Sequence, residues 1–198
     1  MQLKDRFRGF LPVVIDLETG GLNPTKNPIL ELCIVLPRWE DDKLICEDVH
    51  HWHVAPHPDT HCEERSLALT GIDPTDPDRE AVSEAQALGE CLRLVRKAVR
   101  DANCTRAILT AHNAHFDQGF LKAAIHRSGI KRDPFHLFSV IDTVSLCGVY
   151  FGQTVLRFAC REAGIEYEMD SAHSARYDAL IVATIFAQMV NNSPFFKD

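Results

Sequence analysis

PVVIDLETGG, residues Pro12 to Gly21, wraps an apolar, β-branched run around two acids. Val13, Val14, Ile15 and Leu17, bounded by a proline and a glycine pair, have the pattern of a short buried strand. Asp16 and Glu18 interrupt that run. Residues i and i+2 of a strand point to the same face, so the two carboxylates stand side by side. Such a pair beside a core is costly unless cations or a metal offset it. A strand end reaching solvent, with both acids hydrated, is the competing reading. The rest of the chain separates the two.

Downstream, GLNPTKNP is turn material. Ile29 to Leu36 reads as a second strand and Lys43 to Val54 as a third, joined by the polar turn Glu40 to Asp42. Short connections between neighbouring strands predict an antiparallel meander. The third strand runs into HHWHVAPHPDTHC. His51 and His53 share a strand face, but His57, His61 and Cys62 lie past prolines. That spacing argues against a closed zinc site.

Glu64 to Leu69 predicts a short helix stopped by Gly71. After the loop GIDPTDPDRE, a long amphipathic helix is expected from Pro77 or Asp78 to Ala102. Its apolar stripe is Val82, Ala85, Leu88, Leu92, Val95 and Val99. Its polar face turns basic at Arg93, Arg96, Lys97 and Arg100, with Arg106 beyond; such a run is either a solvated face or a place for phosphates.

RAILTA, Arg106 to Ala111, is a fourth strand, followed by the helix HNAHFDQGFLKAAIHRSG with Asn113 as its N-cap. Asp117 shares that helix's apolar face with Leu121 and Ala124. His136 to Ile141 predicts a fifth strand. Asp142 after it is either an N-cap or an auxiliary metal ligand. In the closing helix, within AHSARYDALIVATIFAQMV, Asp178 lies on the stripe of Ile181, Val182 and Ile185.

The 198 residues suit a single domain, residues 1–198, with a proper core. Uninterrupted apolar runs are too short to cross a bilayer, so no membrane partner is expected. The opening MQLKDRFRGF is polar and basic, and seven cysteines are scattered without CxxC spacing. Reduced thiols and a cytoplasmic location are therefore expected. A net charge of −7 leaves nucleic-acid binding open, because clustering of cations matters more than their sum.

Asp16, Glu18, Asp117 and Asp178 are thus all embedded in apolar patterns, on one strand and two helices. A shared site with two divalent cations would balance four negative charges, and Mg²⁺ or Mn²⁺ suits oxygen ligands. His173, five residues before Asp178, can supply a base.

Three segments then resemble known motifs. PVVIDLETGG is similar to the first exonuclease motif of the DEDD superfamily, TAHNAHFDQGFL to the second and HSARYDA to the third. The histidine in the third marks the DEDDh branch. DRFRGFLPVVIDLET, GIDPTDPDREAVSEAQAL, VRKAVR, KRDPFH and GQTVL further resemble the ribonuclease T family, over Lys4 to about Asn191.

That resemblance implies an α/β, ribonuclease-H-like exonuclease fold, a mixed five-stranded sheet flanked by helices. It implies a homodimeric 3′-to-5′ exonuclease trimming single-stranded 3′ ends of transfer and other stable RNAs, and also digesting single-stranded DNA. A two-metal phosphodiesterase follows, with Asp16 bridging two ions, Glu18, Asp117 and Asp178 completing the shell, His173 as base and nucleoside 5′-monophosphates as product. By position, the basic patch that feeds the partner's site comprises Arg6, Arg8, Arg100, Arg106 and Lys131. Phe116 and Phe138 match base-stacking aromatics. Leu22 and Leu69 stand where the family has phenylalanine and Arg65 where it has an acid, so terminal-base preference is open. A proofreading exonuclease that accompanies a DNA polymerase shares all three motifs and is the alternative. A binding module with decayed catalysis is the remote one.

Overall fold

The computed structural model describes residues 2–169 and 174–193. Two 3-10 turns, Leu3–Asp5 and Phe7–Gly9, lead into β1, Phe10–Thr19. β2 (Ile29–Glu40) and β3 (Lys43–Ala55) complete the expected antiparallel meander. Helix α1, Glu64–Thr70, stops at Gly71, whose φ of +69° is the left-handed cap glycine adopts without strain.

The long helix begins later than its apolar stripe suggests. Pro77–Arg79 is a 3-10 turn, and Glu80 at φ +48° interrupts a helical path. Val82–Ser83 forms a two-residue strand, β4, parallel to Val54 and Ala55 of β3. Helix α2 then spans Glu84–Asp101, and the Ser83 hydroxyl fixes its start by accepting from the Gln86 amide. Next come β5 (Arg106–Ala111), α3 (Ala114–Arg127) and β6 (Phe135–Asp142). Helices α4 (Thr143–Phe151), α5 (Leu156–Ala163) and α6 (Ala175–Asn192) close the chain.

The strands form one mixed sheet in the order β4-β3-β2-β1-β5-β6, with β5 parallel to β1 and β6 parallel to β5. The expected five strands are six, because β4 is too short for any periodicity to flag.

Alternation along β1 divides its side chains between two layers. Leu11, Val13, Ile15 and Leu17 share a core with Leu88, Leu92 and Val95 of α2 and Leu121 and Ile125 of α3. Each such fully buried side chain contributes about 1.5–3 kcal/mol. A buried ion pair ties those helices together: Arg127 donates to both carboxylate oxygens of Glu84, at 2.9 and 2.6 Å. Losing one partner of a buried pair costs about 3–5 kcal/mol.

The opposite face of β1 begins apolar and ends charged. Val14 packs with Cys33 and Val35 of β2 under Ala175, Ala179, Val182 and Ala183 of α6. These small side chains let the helix lie close to the sheet. Further along the same face come Asp16 and Glu18, then Glu31 as the register partner of Glu18 and His53 as that of Glu31. The acids gather where this apolar floor gives way.

Candidate functional site

β1 carries Asp16 and Glu18 to the end of the sheet, and the loop behind them is tightly packed. A Cβ at Gly20 would lie 2.8 Å from the Pro28 ring and 2.9 Å from the Cys62 sulfur, and one at Gly21 would collide with the Asn27 side chain. Buried Asn27 holds the loop, accepting from the Asn23 amide at 2.8 Å and donating to the His61 carbonyl at 2.9 Å.

Asp178 enters from the first turn of α6. One carboxylate oxygen from each of Asp16, Glu18 and Asp178 lies within 4.8 Å of the other two. Asp117, in the first turn of α3, is buried. Burial drives the Asp16 carboxyl well above the carboxylate range, and the charges of Asp117, Asp178, Glu18 and Glu31 add to it. Glu18 rises to about 8, chiefly through burial and then through Asp178 and Glu31. Burial also raises Asp117, partly offset by backbone amides including that of Leu17. Buried acids held this close together favour bound protons or a bound metal. The donor set is all oxygen, which fits a hard divalent cation such as Mg²⁺ or Mn²⁺.

Asp142 has a different task. Its Oδ1 accepts from the amides of Asn113 at 3.2 Å and Val144 at 2.9 Å, and its Oδ2 from Ala114 at 3.1 Å. One carboxylate therefore caps both α3 and α4. Asn113, expected to cap α3 itself, lies in the left-handed region at φ +73° and makes no side-chain cap bond. The capping role is the one that the structure gives Asp142. His173 lies outside the described residues.

Phe116 is half-buried beside Asp117, its ring 4.9 Å from that of Phe120. Leu22, at 77% exposure, and Leu69, at 65%, are large apolar side chains left in solvent. The Glu63 amide donates to the Gly20 carbonyl, joining the start of α1 to the loop that bears Leu22. Phe138 is 72% exposed, on a bulge where β6 advances from Phe135 to Val140 while β5 advances from Ala107 to Leu109. Arg65 is exposed on α1.

The basic residues gather at the far end of β1. Arg96, Arg100 and Arg106 line a cleft of about 290 Å³ with Asp133 and Pro134. Arg8 and Lys131 are exposed, and the Arg8 guanidinium lies 5.1 Å from the Phe10 ring. Arg106 neighbours Phe10 across the β1–β5 pair. Asp16 lies six steps along β1 from Phe10, roughly 20 Å of strand at ~3.3 Å each. Arg6 departs from the expected surface position: it is buried, its guanidinium 4.4 Å from the Trp39 ring centre.

Two groups carry no motif. The Tyr167 hydroxyl donates to Asp178 at 3.4 Å, with no local sequence signal. Glu31 accepts from the amide of Ala175 at 3.1 Å and lies 3.2 Å from the Nε2 of His51. Burial alone would raise its pKa; the His51 hydrogen bond and charge, the Ala175 amide and the His53 charge together hold it below the usual range. A signal for it does exist, since Glu31 is an acid inside the apolar run ILELCIVL.

Residues 13–186 match the RNase T family of exonucleases. Ribonuclease T of Escherichia coli K12 is 45% identical over 190 residues, covering 96% of this chain and 88% of that protein; the Shigella flexneri enzyme matches equally. Among solved structures, the nuclease domain of 3'hExo, a DEDDh family member bound to rAMP, aligns with a TM-score of 0.72 at 22% identity, covering 92% of each chain. E. coli exonuclease I in complex with a dT13 oligonucleotide aligns at 0.70 and 17% identity, over 92% of this chain and 41% of that one. These likenesses carry the fold, and the match to the ribonucleases T carries the family: the chain belongs to the ribonuclease T family of exonucleases.

Proposed function

We propose that this protein is a homodimeric 3′-to-5′ exonuclease that trims unpaired 3′ ends of transfer and other stable RNAs with the help of two Mg²⁺ ions. Mn²⁺ would substitute, single-stranded DNA would also be digested, and the products are nucleoside 5′-monophosphates. The observation that carries the proposal is the group of Asp16, Glu18 and Asp178 oxygens within 4.8 Å of one another, with Asp117 beside them, in a chain of this family.

Asp16, Glu18, Asp117 and Asp178 would hold the ions. Divalent cations bound there supply a water of lowered pKa and positive charge against the phosphate. His173, on the residues leading into α6, takes the proton from the attacking water at its imidazole. Asp142 keeps the starts of α3 and α4 together. Phe116, Phe138, Leu22 and Leu69 would cover the terminal bases, with the leucines offering contact but no π-face.

Arg8, Arg100, Arg106 and Lys131 would hold the phosphates further along the strand. Arg6, packed over Trp39, would support that arm from beneath. The separation of this cleft from the acids, roughly 20 Å along β1, supports a substrate path from the patch of one subunit to the acids of the other. The seven unpaired thiols fit a cytoplasmic enzyme.

The test offers purified protein a transfer RNA with its natural 3′ end and, in parallel, a primed DNA mismatch. Mg²⁺-dependent release of nucleoside 5′-monophosphates from the RNA supports the proposal. Preference for the mismatched primer would favour a proofreading enzyme, and binding without release a non-catalytic module.

A further inference from the structure

Among the described residues, helix α6 has no side-chain cap of its own. Ser174 occupies the N-cap position, yet its side chain makes no capping bond. The first amides of a helix need acceptors, and a buried start without them is costly. Here one acceptor comes from a different element: Oε2 of Glu31, on β2, receives the Ala175 amide at 3.1 Å. A carboxylate at this position also faces the positive end of the helix dipole.

Glu31 is itself held. It is 8% exposed, its Oε2 lies 3.2 Å from Nε2 of His51, and its Oε1 lies 3.3 Å from Nδ1 of His53. Both histidines come from β3, and His53 is the register partner of Glu31. The two rings meet edge to face at 4.7 Å. A chain of contacts from β3 through β2 therefore ends on a single amide of α6.

That amide occupies a consequential place. Asp178 lies three residues on, about 4.5 Å along the helix axis, and its own amide donates to the Ser174 carbonyl at 2.9 Å. We propose that Glu31, braced by His51 and His53, is the positioning residue that anchors the start of α6 and thereby sets Asp178 for the reaction. The proposal rests on the metal-dependent exonuclease reading above. Glu31 acts through the helix rather than on substrate, and misplacing a reacting group by about 1 Å can cost roughly 10²-fold in rate.

The experiment compares Glu31→Ala, Glu31→Gln, His51→Ala and His51→Gln with the parent protein. It measures hydrogen exchange at the first turn of α6 without metal, and kcat and KM on a short single-stranded RNA with Mg²⁺. Glu31→Ala is expected to lose protection at the Ala175 amide and to lower kcat by roughly 10–100-fold, as for other residues that orient a ligand from behind, with KM little changed. Glu31→Gln keeps an oxygen for the amide and is expected to restore most of both. His51→Ala repeats the defect more mildly and His51→Gln corrects it. Should Glu31→Ala not fold, the His51 pair carries the same comparison.

Unaltered exchange at Ala175 in the alanine variants would overturn the anchor, as would lost protection with kcat intact. So would one equivalent of Zn²⁺ bound by Asp16→Asn protein and released by His53→Ala, since the Glu31, His51 and His53 cluster would then be a metal site. A parent protein without exonuclease activity would instead sink the functional reading and the catalytic half of this proposal. The exchange data would still judge the anchor.

Discussion

Glu18 and Glu31 are register partners across β1 and β2, and their carboxyl groups are driven in opposite directions. Burial, Asp178 and Glu31 push Glu18 up to about 8, while at Glu31 burial is overcome by His51, the Ala175 amide and His53, which hold it low. The carboxylate on β2 is compensated within the protein. For Glu18 on β1, the neighbouring charges of Asp178 and Glu31 raise it further.

Metal removal therefore makes stability depend on pH. The folded pKa of Glu18 lies above its ordinary 4.5, at about 8, so the folded state holds more protons between those values. Stability is then lost as pH rises from about 4.5 to 8. A tenfold change in proton affinity is worth about 1.4 kcal/mol, so the total is on the order of a few kcal/mol. In EDTA the melting temperature is expected to fall from pH 5 to pH 8, and in Mg²⁺ to stay level. Scanning calorimetry at several pH values, with and without Mg²⁺, checks this; a flat EDTA curve would contradict it.

Asp16→Asn removes the charge at the centre of the repulsive group. Turnover is expected to vanish, while the metal-free protein melts higher than its parent at pH 8 because the charges of Asp117, Asp178 and Glu18 lose a neighbour. Near-normal activity in Mg²⁺ would show that Asp16 is no ligand.

His173→Ala is expected to lower kcat by roughly 10²–10⁴, the usual contribution of a general base, with substrate affinity little changed. A raised KM with intact kcat would make His173 a binding residue instead.

Arg100→Ala or Lys131→Ala is expected to weaken binding of all sequences alike and to reduce the salt slope by about 1. Mixed dimers sharpen the point. One subunit carries Asp16→Asn and the other the patch substitutions, so the intact acids face an intact patch only across the interface. Recovery of much of one site's activity is expected. No recovery, with mixed dimers shown to form, would confine patch and acids to one subunit.

Leu22→Phe and Leu69→Phe put an aromatic face on two exposed apolar positions. Stacking is worth about 1–3 kcal/mol per base against alanine, so each change from leucine is expected to lower KM by up to ~10-fold. Kinetics on RNAs differing only in the terminal base measure this and any altered preference.

The sheet and the acids are legible because both write simple periods into the chain. An acid inside a period-2 or period-3.6 apolar pattern marks a buried charge, which is how Asp16, Glu18, Asp117 and Asp178 stand out. Glu31 carries the same mark, but its partners, His51, His53 and the Ala175 amide, come from a strand and a helix far from it in sequence. β4 is two residues long, below any period. Local preference gives the α3 cap to Asn113, whereas the acceptor arrives from Asp142 at the end of β6. Arg6 reads as surface charge in a basic arm, and only the fold lays Trp39 beneath it.

The two-residue β4 and the bulged β6 also govern how this sheet meets its own kind. They are its outermost strands, and neither offers a long straight row of free backbone groups to an incoming chain. β3 runs on past β4, but Lys43, Glu47 and Asp48 charge that rim, and the Asn191 amide bonds both the N–H and the carbonyl of Leu44. These features disfavour strand-to-strand growth at both edges. Concentrated protein is therefore expected to resist assembling into fibrils.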